Sequence, residues 1–298
     1  MLAFISTLLI GITVGAIYSL MALSLVLVWR STRVINFAQA GQAIFSTYVA
    51  YEVIQRTGNF ILGMAAAVVV GALLGALVEV LLMRTLFKRI HSGAVAAVAP
   101  VIATLGLLGV IRASVGLIWG NDGHRFDAPV STQAFSMGNT VIPFSRFNLL
   151  VIATAALVMI VFTVIFQKTS LGLSLRASAF APEIARLSGI RVGSIRTIGW
   201  AFAGATGAVA GVLISPNDSL TPNSLDLLLI FGFVSAVIGG LDSLIGAVVG
   251  GLVLGIGKAL ILAYLGSSLD YPTAFVVLAI VLIVRPGGIF SMKRGRNA

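Results

Sequence analysis

Leu2-Ala-Phe-Ile-Ser-Thr-Leu-Leu-Ile-Gly-Ile-Thr-Val-Gly-Ala-Ile-Tyr-Ser-Leu-Met-Ala-Leu-Ser-Leu-Val-Leu-Val-Trp29 runs for 28 residues without a charge. A helix needs roughly 20 apolar residues to cross a bilayer, so this stretch is long enough to span one. A cleavable signal peptide would start basic and carry an apolar run of about 7–15 residues. Here the first basic residue is Arg30, and the stretch reads as a retained transmembrane helix. The rest of the chain agrees. Of 298 residues, 59% are hydrophobic and 9% charged, against about 25% charged in a soluble domain. That shortage excludes a water-soluble globular enzyme and a disordered chain. With no cysteine, there is no disulfide frame, thiol nucleophile or cysteine metal site.

Eight further apolar runs follow, at about 34–55, 60–83, 94–118, 147–166, 197–216, 225–240, 243–265 and 272–284. Two are weak. The 34–55 run holds Asn36, Gln39 and Gln42, and 272–284 is only 13 residues long. Eight to ten passes therefore fit. The net charge of +10 would suggest nucleic acid in a soluble protein. In a chain this apolar it reports orientation, because basic residues collect on the cytoplasmic side. Three connections are strongly basic: 84–89 with Arg84, Lys88 and Arg89; 167–196 with Lys168, Arg176, Arg186, Arg191 and Arg196; and the tail with Arg285, Lys293, Arg294 and Arg296. Placing all three inside gives a consistent alternation, with Arg30 and Arg33 inside as well. The N-terminus is then outside and the C-terminus cytoplasmic. The inside loops hold 14 basic and two acidic residues, a balance of +12, against −2 outside and zero within the spans.

Glycines recur four residues apart within the spans, at Gly11/Gly15, Gly71/Gly75, Gly207/Gly211, Gly246/Gly250 and Gly251/Gly255. Such pairs let a neighbouring backbone approach closely. Gly204, Gly207 and Gly211 share one face of a helix, with Ala201 and Ala208 beside them. The expectation is a compact helical bundle whose glycines serve packing.

Polar groups in hydrocarbon are costly unless paired or facing water. Asn36, Gln39, Gln42 and Ser46 form a stripe on one side of a helix. Two readings stand: a wall of a substrate path, or interhelical hydrogen bonding. Glu52, Glu79, Arg112 and Lys258 are candidate intramembrane charges. Glu52 and Arg112 fall near outer ends and Glu79 near the inner interface. Lys258 is the most deeply placed, and a carboxylate pair is its default explanation.

The 167–196 connection is longer than a plain connector needs. Pro182 beside Glu183 suits the first turn of a helix, and Gly189 a helical stop. A short helix over about 182–188 should lie there, either resting on lipid headgroups or docking a soluble partner. No phosphate-binding Gly-x-x-x-x-Gly-Lys-[Ser/Thr] loop occurs, since Gly257-Lys258 precedes Ala259. The two histidines, His91 and His124, form no zinc-hydrolase pattern.

Four stretches together resemble a known family. Glu183-Ile-Ala185-x-x-x-Gly189 is similar to the Glu-Ala-Ala-x-x-x-Gly loop of ABC importer permeases. Val34-Ile-Asn36-Phe37-Ala38-Gln39 resembles the Asn-Phe-Ala signature of the branched-chain amino acid permeases of the LivH type. Gly239-Gly240-Leu-Asp-Ser243-x-x-Gly246-Ala247-x-x-Gly250-Gly251 and Arg285-Pro286-Gly-Gly-Ile-Phe290 resemble two further motifs of that family.

The resemblance implies an all-α polytopic membrane protein, a compact bundle of about 8–10 transmembrane helices in a type II-like ABC importer architecture. The whole chain would be one permease domain in a bacterial cytoplasmic membrane. It implies a second related permease, two cytoplasmic ATPases and an external binding protein as partners. ATP and Mg would sit on the ATPases and no cofactor on this chain. Glu183, Ala185 and Gly189 would be the ATPase-coupling positions, and Asn36, Gln39, Gln42 and Ser46 would border the translocation path. The expected cargo is a branched-chain or other hydrophobic amino acid. Urea, amides and small organic acids are alternatives, as is a self-contained transporter or channel with Lys258 and Glu79 as relay groups. Two departures stand out: Ala40-Gly41 where the family often has Gly-Glu, and Asp242 in place of a glycine.

Overall fold

The structure is a computed structural model that describes residues 2–89, 94–137, 140–285 and 287–290. His91, Pro286, Lys293, Arg294 and Arg296 lie outside the described residues. The elements in order are α1 (Leu2–Thr32), α2 (Gln39–Thr57), α3 (Phe60–Leu77), α4 (Arg84–Arg89), α5 (Ala94–Trp119), β1 (Ala134–Met137), β2 (Thr140–Ser145), α6 (Arg146–Lys168), α7 (Ser170–Phe180), α8 (Pro182–Leu187), α9 (Val192–Ile214), α10 (Asp226–Gly239), α11 (Leu244–Leu265) and α12 (Asp270–Val284). A six-residue π-helical turn, Val78–Met83, joins α3 to α4. The protein is an all-α polytopic membrane protein.

Each of the nine apolar runs falls on a helix. Six helical stretches among the described residues are long and apolar enough to cross a membrane: Ala3–Thr32, Phe60–Arg89, Val98–Trp119, Arg146–Lys168, Val192–Asn217 and Leu244–Leu265. The other three differ for two reasons. Helix α2 is 19 residues long but dilutes its apolarity with Gln39, Gln42, Glu52 and Gln55. Helices α10 and α12 have only 14 and 15 residues. The antiparallel hairpin β1–β2 is an addition to the sequence map, because strands this short leave no long apolar run.

Helix α1 is the core of the bundle. No residue from Ala16 to Val28 is more than 5% exposed, and α1 packs on α11, α9, α10 and α6. A helix apolar on every side is one that is buried on every side, and here protein rather than lipid covers it. The glycine pairs explain how the neighbours come so close. Gly11 and Gly15 of α1 face Gly251 and Gly255 of α11. A methyl built on Gly15 would stand 2.9 Å from the Gly251 carbonyl oxygen, and one on Gly11 would stand 2.8 Å from Ile256 Cα. The Ser19 hydroxyl, one turn on, donates across this seam to the Val248 carbonyl at 2.9 Å. Likewise Gly71 and Gly75 of α3 lie against Gly204 and Trp200 of α9, and Gly239 and Gly246 let α10 and α11 touch backbone to backbone. With no hydrophobic drive between helices in lipid, such close contact supplies dispersion and packing energy. The expected packing role of the glycines is what the structure has. The α9 strip divides, however: Gly204 serves α3, while Gly207 and Gly211 receive Gln39 and Thr47 of α2.

Several basic residues gather at one end of the bundle. Arg30, Arg33, Arg176 and Asp242 gather at one end with Phe166 and Phe290. Arg84, Phe87 and Arg196 lie at this end too. At the other end the 120–145 connection is stitched down by paired backbone hydrogen bonds between His124 and Leu220, at 3.0 and 2.9 Å. Tyr48 donates to the same Leu220 carbonyl at 3.2 Å.

Candidate functional site

Asn36, Gln39, Gln42 and Ser46 are all fully buried. Asn36 and Phe37 precede α2 in a short turn, and the remainder lies on its first two turns. Asn36 Nδ2 donates to Gln39 Oε1 at 3.0 Å, and Gln39 Nε2 donates to the Ala203 carbonyl of α9 at 3.0 Å. Gly207 makes room for that amide; a side chain there would occupy the space of Gln39 Nε2. Ser46 returns its hydroxyl to the Gln42 carbonyl at 2.7 Å. So Gln39 is interhelical glue. Its neighbours are not fully used: Asn36 Oδ1 and both amide atoms of Gln42 are buried without a hydrogen-bond partner. Leaving a buried polar group unpaired costs about 1–3 kcal/mol, and three such atoms within two turns of one another are uncommon. The stripe thus divides into a structural half and a half with open hydrogen-bonding capacity.

The first departure from the family pattern has a packing reason. Gly41 abuts α5, where an added methyl would lie 3.1 Å from Leu108 Cδ1 and 3.3 Å from Ile111 Cβ. A larger side chain at this position therefore requires Leu108 and Ile111 to give way. The second departure serves as a tie. Asp242, in the turn between α10 and α11, pairs with Arg33 and accepts from Trp29 Nε1 at 3.2 Å. Arg33 ends α1 in a left-handed conformation, φ 58°.

The four candidate charges have individual fates. Glu52 is half-buried and pairs with Arg56 one turn on, at 2.6 Å. Arg112 pairs across the bundle with Asp226. Glu79 is buried, and accepts from Arg84 at 2.9 Å and from the Thr197 hydroxyl at 2.6 Å. Glu79 lies in the π-turn and Arg84 follows it five residues on, the hydrogen-bond repeat of that turn. Arg84 also donates to the Gly193 carbonyl at 3.1 Å, so the cluster locks α3–α4 to the start of α9. Lys258 is buried too. Its Nζ stands 3.1 Å from the Tyr18 hydroxyl and 3.9 Å from the Phe231 ring centroid. A hydroxyl and an aromatic face thus contact the ammonium, the aromatic contact worth about 2 kcal/mol or more when desolvated. Replacing Glu79 by Ala removes the acceptor that Arg84 and Thr197 share. We expect a loss of about 1–3 kcal/mol, read as a lower unfolding midpoint in detergent; an unchanged midpoint would remove the cluster from the stability account.

The 167–196 connection folds as α7, a break at Ala181, and α8. Ala185 packs inward at 3% exposure, whereas Ile184 and Leu187 are 66% and 90% exposed and Phe180 of α7 88%. Glu183 is exposed in the first turn. The helix stops where expected. Gly189 has φ 82°, its N–H donates to the Arg186 carbonyl at 3.0 Å, and the Ile190 N–H donates to the Ala185 carbonyl at 2.9 Å. This is the left-handed glycine stop that satisfies the last carbonyls. Glu183 and Ala185 thus lie on one short helix at the basic end, and Gly189 stops it.

The closing stretch reaches the Gly-Gly turn. Ile289 and Phe290 N–H groups donate to the Ile238 and Gly239 carbonyls at 2.8 and 3.1 Å. Two motifs far apart in sequence are therefore one structural joint. Sequence reasoning missed Thr197, Tyr18, Phe231 and Asp226 as partners. Thr197 lies 118 residues from Glu79, Tyr18 240 from Lys258, and Asp226 114 from Arg112, so no local pattern signals them.

Comparison with known proteins follows the same line. A family model described as "Branched-chain amino acid transport system / permease component" matches residues 7–284. A probable branched-chain amino acid transport permease protein LivH of Methanocaldococcus jannaschii is 33% identical, over 91% of this chain and 87% of its own. The high-affinity branched-chain amino acid permease protein LivH of Escherichia coli K12 is 27% identical over 94% and 92% of the two chains. The corresponding BraD protein of Pseudomonas aeruginosa is 27% identical over 94% and 93%. No solved structure matches significantly. Since the family model spans the bundle from α1 to α12, the chain belongs to the family of permease components of branched-chain amino acid transport systems.

Proposed function

We propose that this chain is the membrane-spanning permease subunit of an ATP-driven importer that carries branched-chain or related hydrophobic amino acids into the cell. It works beside a second related permease, two ATPases that bind ATP and Mg, and an external binding protein. The chain lies in a bacterial cytoplasmic membrane with its N-terminus outside and its basic end in the cytoplasm. One observation carries this reading beyond family membership. At the basic end, α8 is anchored by Ala185 and presents Ile184 and Leu187 outward with Phe180, an apolar face on the connection between α6 and α9. An exposed apolar cluster rimmed by charge marks a protein interface. ATP-driven closure of the ATPases would push on α8, and Glu183 and Gly189 would fix its start and stop.

Within the bundle, Asn36 and Gln42 border the path, their unpartnered atoms available to a polar group of the cargo or to water moving with it. Gln39 and Ser46 support them. The relay needed by a self-contained transporter has less support, because Glu79 and Lys258 are engaged in separate sets with Arg84 and with Tyr18.

Uptake of labelled leucine into proteoliposomes tests the proposal. Transport should require the ATPases and ATP; equal uptake by this chain alone would sink it. Gln42→Leu tests the path. Removing an unpaired amide should leave the unfolding midpoint unchanged or raised, while uptake falls severalfold. A variant that is equally stable and equally active would take Gln42 off the path.

A further inference from the structure

We propose that the basic end carries a phosphate-binding site, formed by Arg30 and Arg176 across a cleft between α1, α6, α7 and the start of α11. The cleft has a volume of about 200 Å³, and Gln167 and Ser243 line it together with the two arginines. Its charge is unbalanced. Asp242 is the acidic residue in its lining, and Asp242 is already engaged by Arg33 and Trp29. Arg30 therefore sits among like charges, repelled by Arg176 and by Arg33 and attracted by Asp242. Among the described residues neither Arg30 nor Arg176 is in an ion pair. Two guanidinium groups that line one cleft repel each other, and an anion bound between them relieves that repulsion.

The side chains are positioned before any ligand arrives. The Arg30 guanidinium lies over the Phe166 ring, 5.0 Å from its centroid. Stacking occupies one face of the plane and leaves the N–H edges to bond. Arg176 is steadied on α7 by its Nε, which donates to the Gly172 carbonyl at 3.3 Å. Ser243 caps α11, its hydroxyl accepting from the Gly246 N–H at 2.9 Å, so the positive end of that helix dipole adds to the field. A planar donor pair plus a helix start suits the tetrahedral oxygens of a phosphate, which arginines bind through paired hydrogen bonds. The cleft opens beside Ile245, which is 48% exposed on the bundle surface. Basic pockets of this kind between membrane helices take lipid headgroups. The shared chemistry is one phosphate group, delivered either by an anionic phospholipid or as free phosphate. Bound there, it would tie α7, the start of the α8 connection, to α1 and α11.

The test uses the full-length chain in neutral detergent. Its unfolding midpoint is followed against phosphatidylglycerol, against phosphatidylcholine, and against inorganic phosphate at matched ionic strength. Phosphatidylglycerol is expected to raise the midpoint by several degrees. Its apparent affinity should fall at least tenfold in the Arg30→Gln/Arg176→Gln double variant, and also in Arg176→Gln alone, a substitution at an exposed position on α7. The Arg125→Gln/Arg146→Gln pair at the opposite end should bind as the unmodified chain does. Protection by inorganic phosphate as well as by the anionic lipid supports the site with soluble phosphate as its ligand; protection by phosphatidylglycerol alone supports it with a lipid headgroup. No protection by either, or equal protection of the double variant, overturns the proposal.

Discussion

Leu187→Asp is expected to abolish ATP-driven uptake while the protein remains inserted and folded. Leu187 is 90% exposed, so the substitution removes nothing from the bundle and costs it little stability. In a docked complex the same position would place an unpaired carboxylate in an apolar contact, where central residues contribute 2 kcal/mol or more and an unpaired buried charge costs about 3–5 kcal/mol. Each 1.4 kcal/mol is roughly a tenfold loss of affinity, so ATPase binding should weaken at least about a hundredfold. Gly189→Pro should act on the same step by another route. Proline holds φ near −65°, whereas Gly189 sits at 82° and its N–H is bonded to Arg186. Glu183→Arg, at the exposed start of α8, should likewise lower uptake. Co-purification of the ATPases, uptake in proteoliposomes and elution as a monodisperse peak in detergent separate docking from folding. Normal uptake in all three variants would remove α8 from the mechanism.

Gly204→Val is expected to damage the bundle severely. Gly204 meets the Gly71 carbonyl oxygen with no atom between them, and the reciprocal methyl on Gly71 would stand 2.8 Å from Ala208 Cβ. Both obstacles are on packed helices, so neither can swing aside. Overpacking costs about 1–3 kcal/mol and occasionally more, and here the upper end applies. A loss of about 3 kcal/mol corresponds to roughly 6–12 °C in the unfolding midpoint for a chain somewhat shorter than this one. Gly106→Val supplies the contrast. An added side chain at Gly106 meets nothing within 4 Å, and its cost should stay within about 0.5 kcal/mol apart from helix propensity. Equal losses for the two variants would mean that helix propensity, rather than the α3–α9 contact, is what glycine supplies.

Much of this protein was legible before any fold was known, and the reasons are local. Nine apolar runs fall on helices because a lipid-spanning backbone must satisfy its hydrogen bonds within each segment. The α7–α8 connection was readable from Pro182, Glu183 and Gly189, since caps act within one turn. The weaker readings failed where locality fails. Helix α2 looked doubtful because polar side chains lower its apolarity; it is stable because Gln39, Thr47 and Gly41 meet prepared surfaces on α9 and α5. The hairpin β1–β2 was missed outright.

Sequence by itself determined that the chain is a helical membrane protein with one basic end, that glycines would serve packing, and which family motifs it carries. Those conclusions rest on transfer free energy and helix geometry, which depend on neighbours within a turn or two. Tertiary structure decided which glycines face which. It paired Glu79 with Arg84 and Thr197, and enclosed Lys258 between Tyr18 and Phe231. It also divided the polar stripe into a bonded Gln39 and an unpartnered Gln42, and set Arg30 beside Arg176. Each of these joins helices distant in sequence. Their physical cause is close packing, through which a group's partner, and so its energy, is settled only when the whole bundle is assembled.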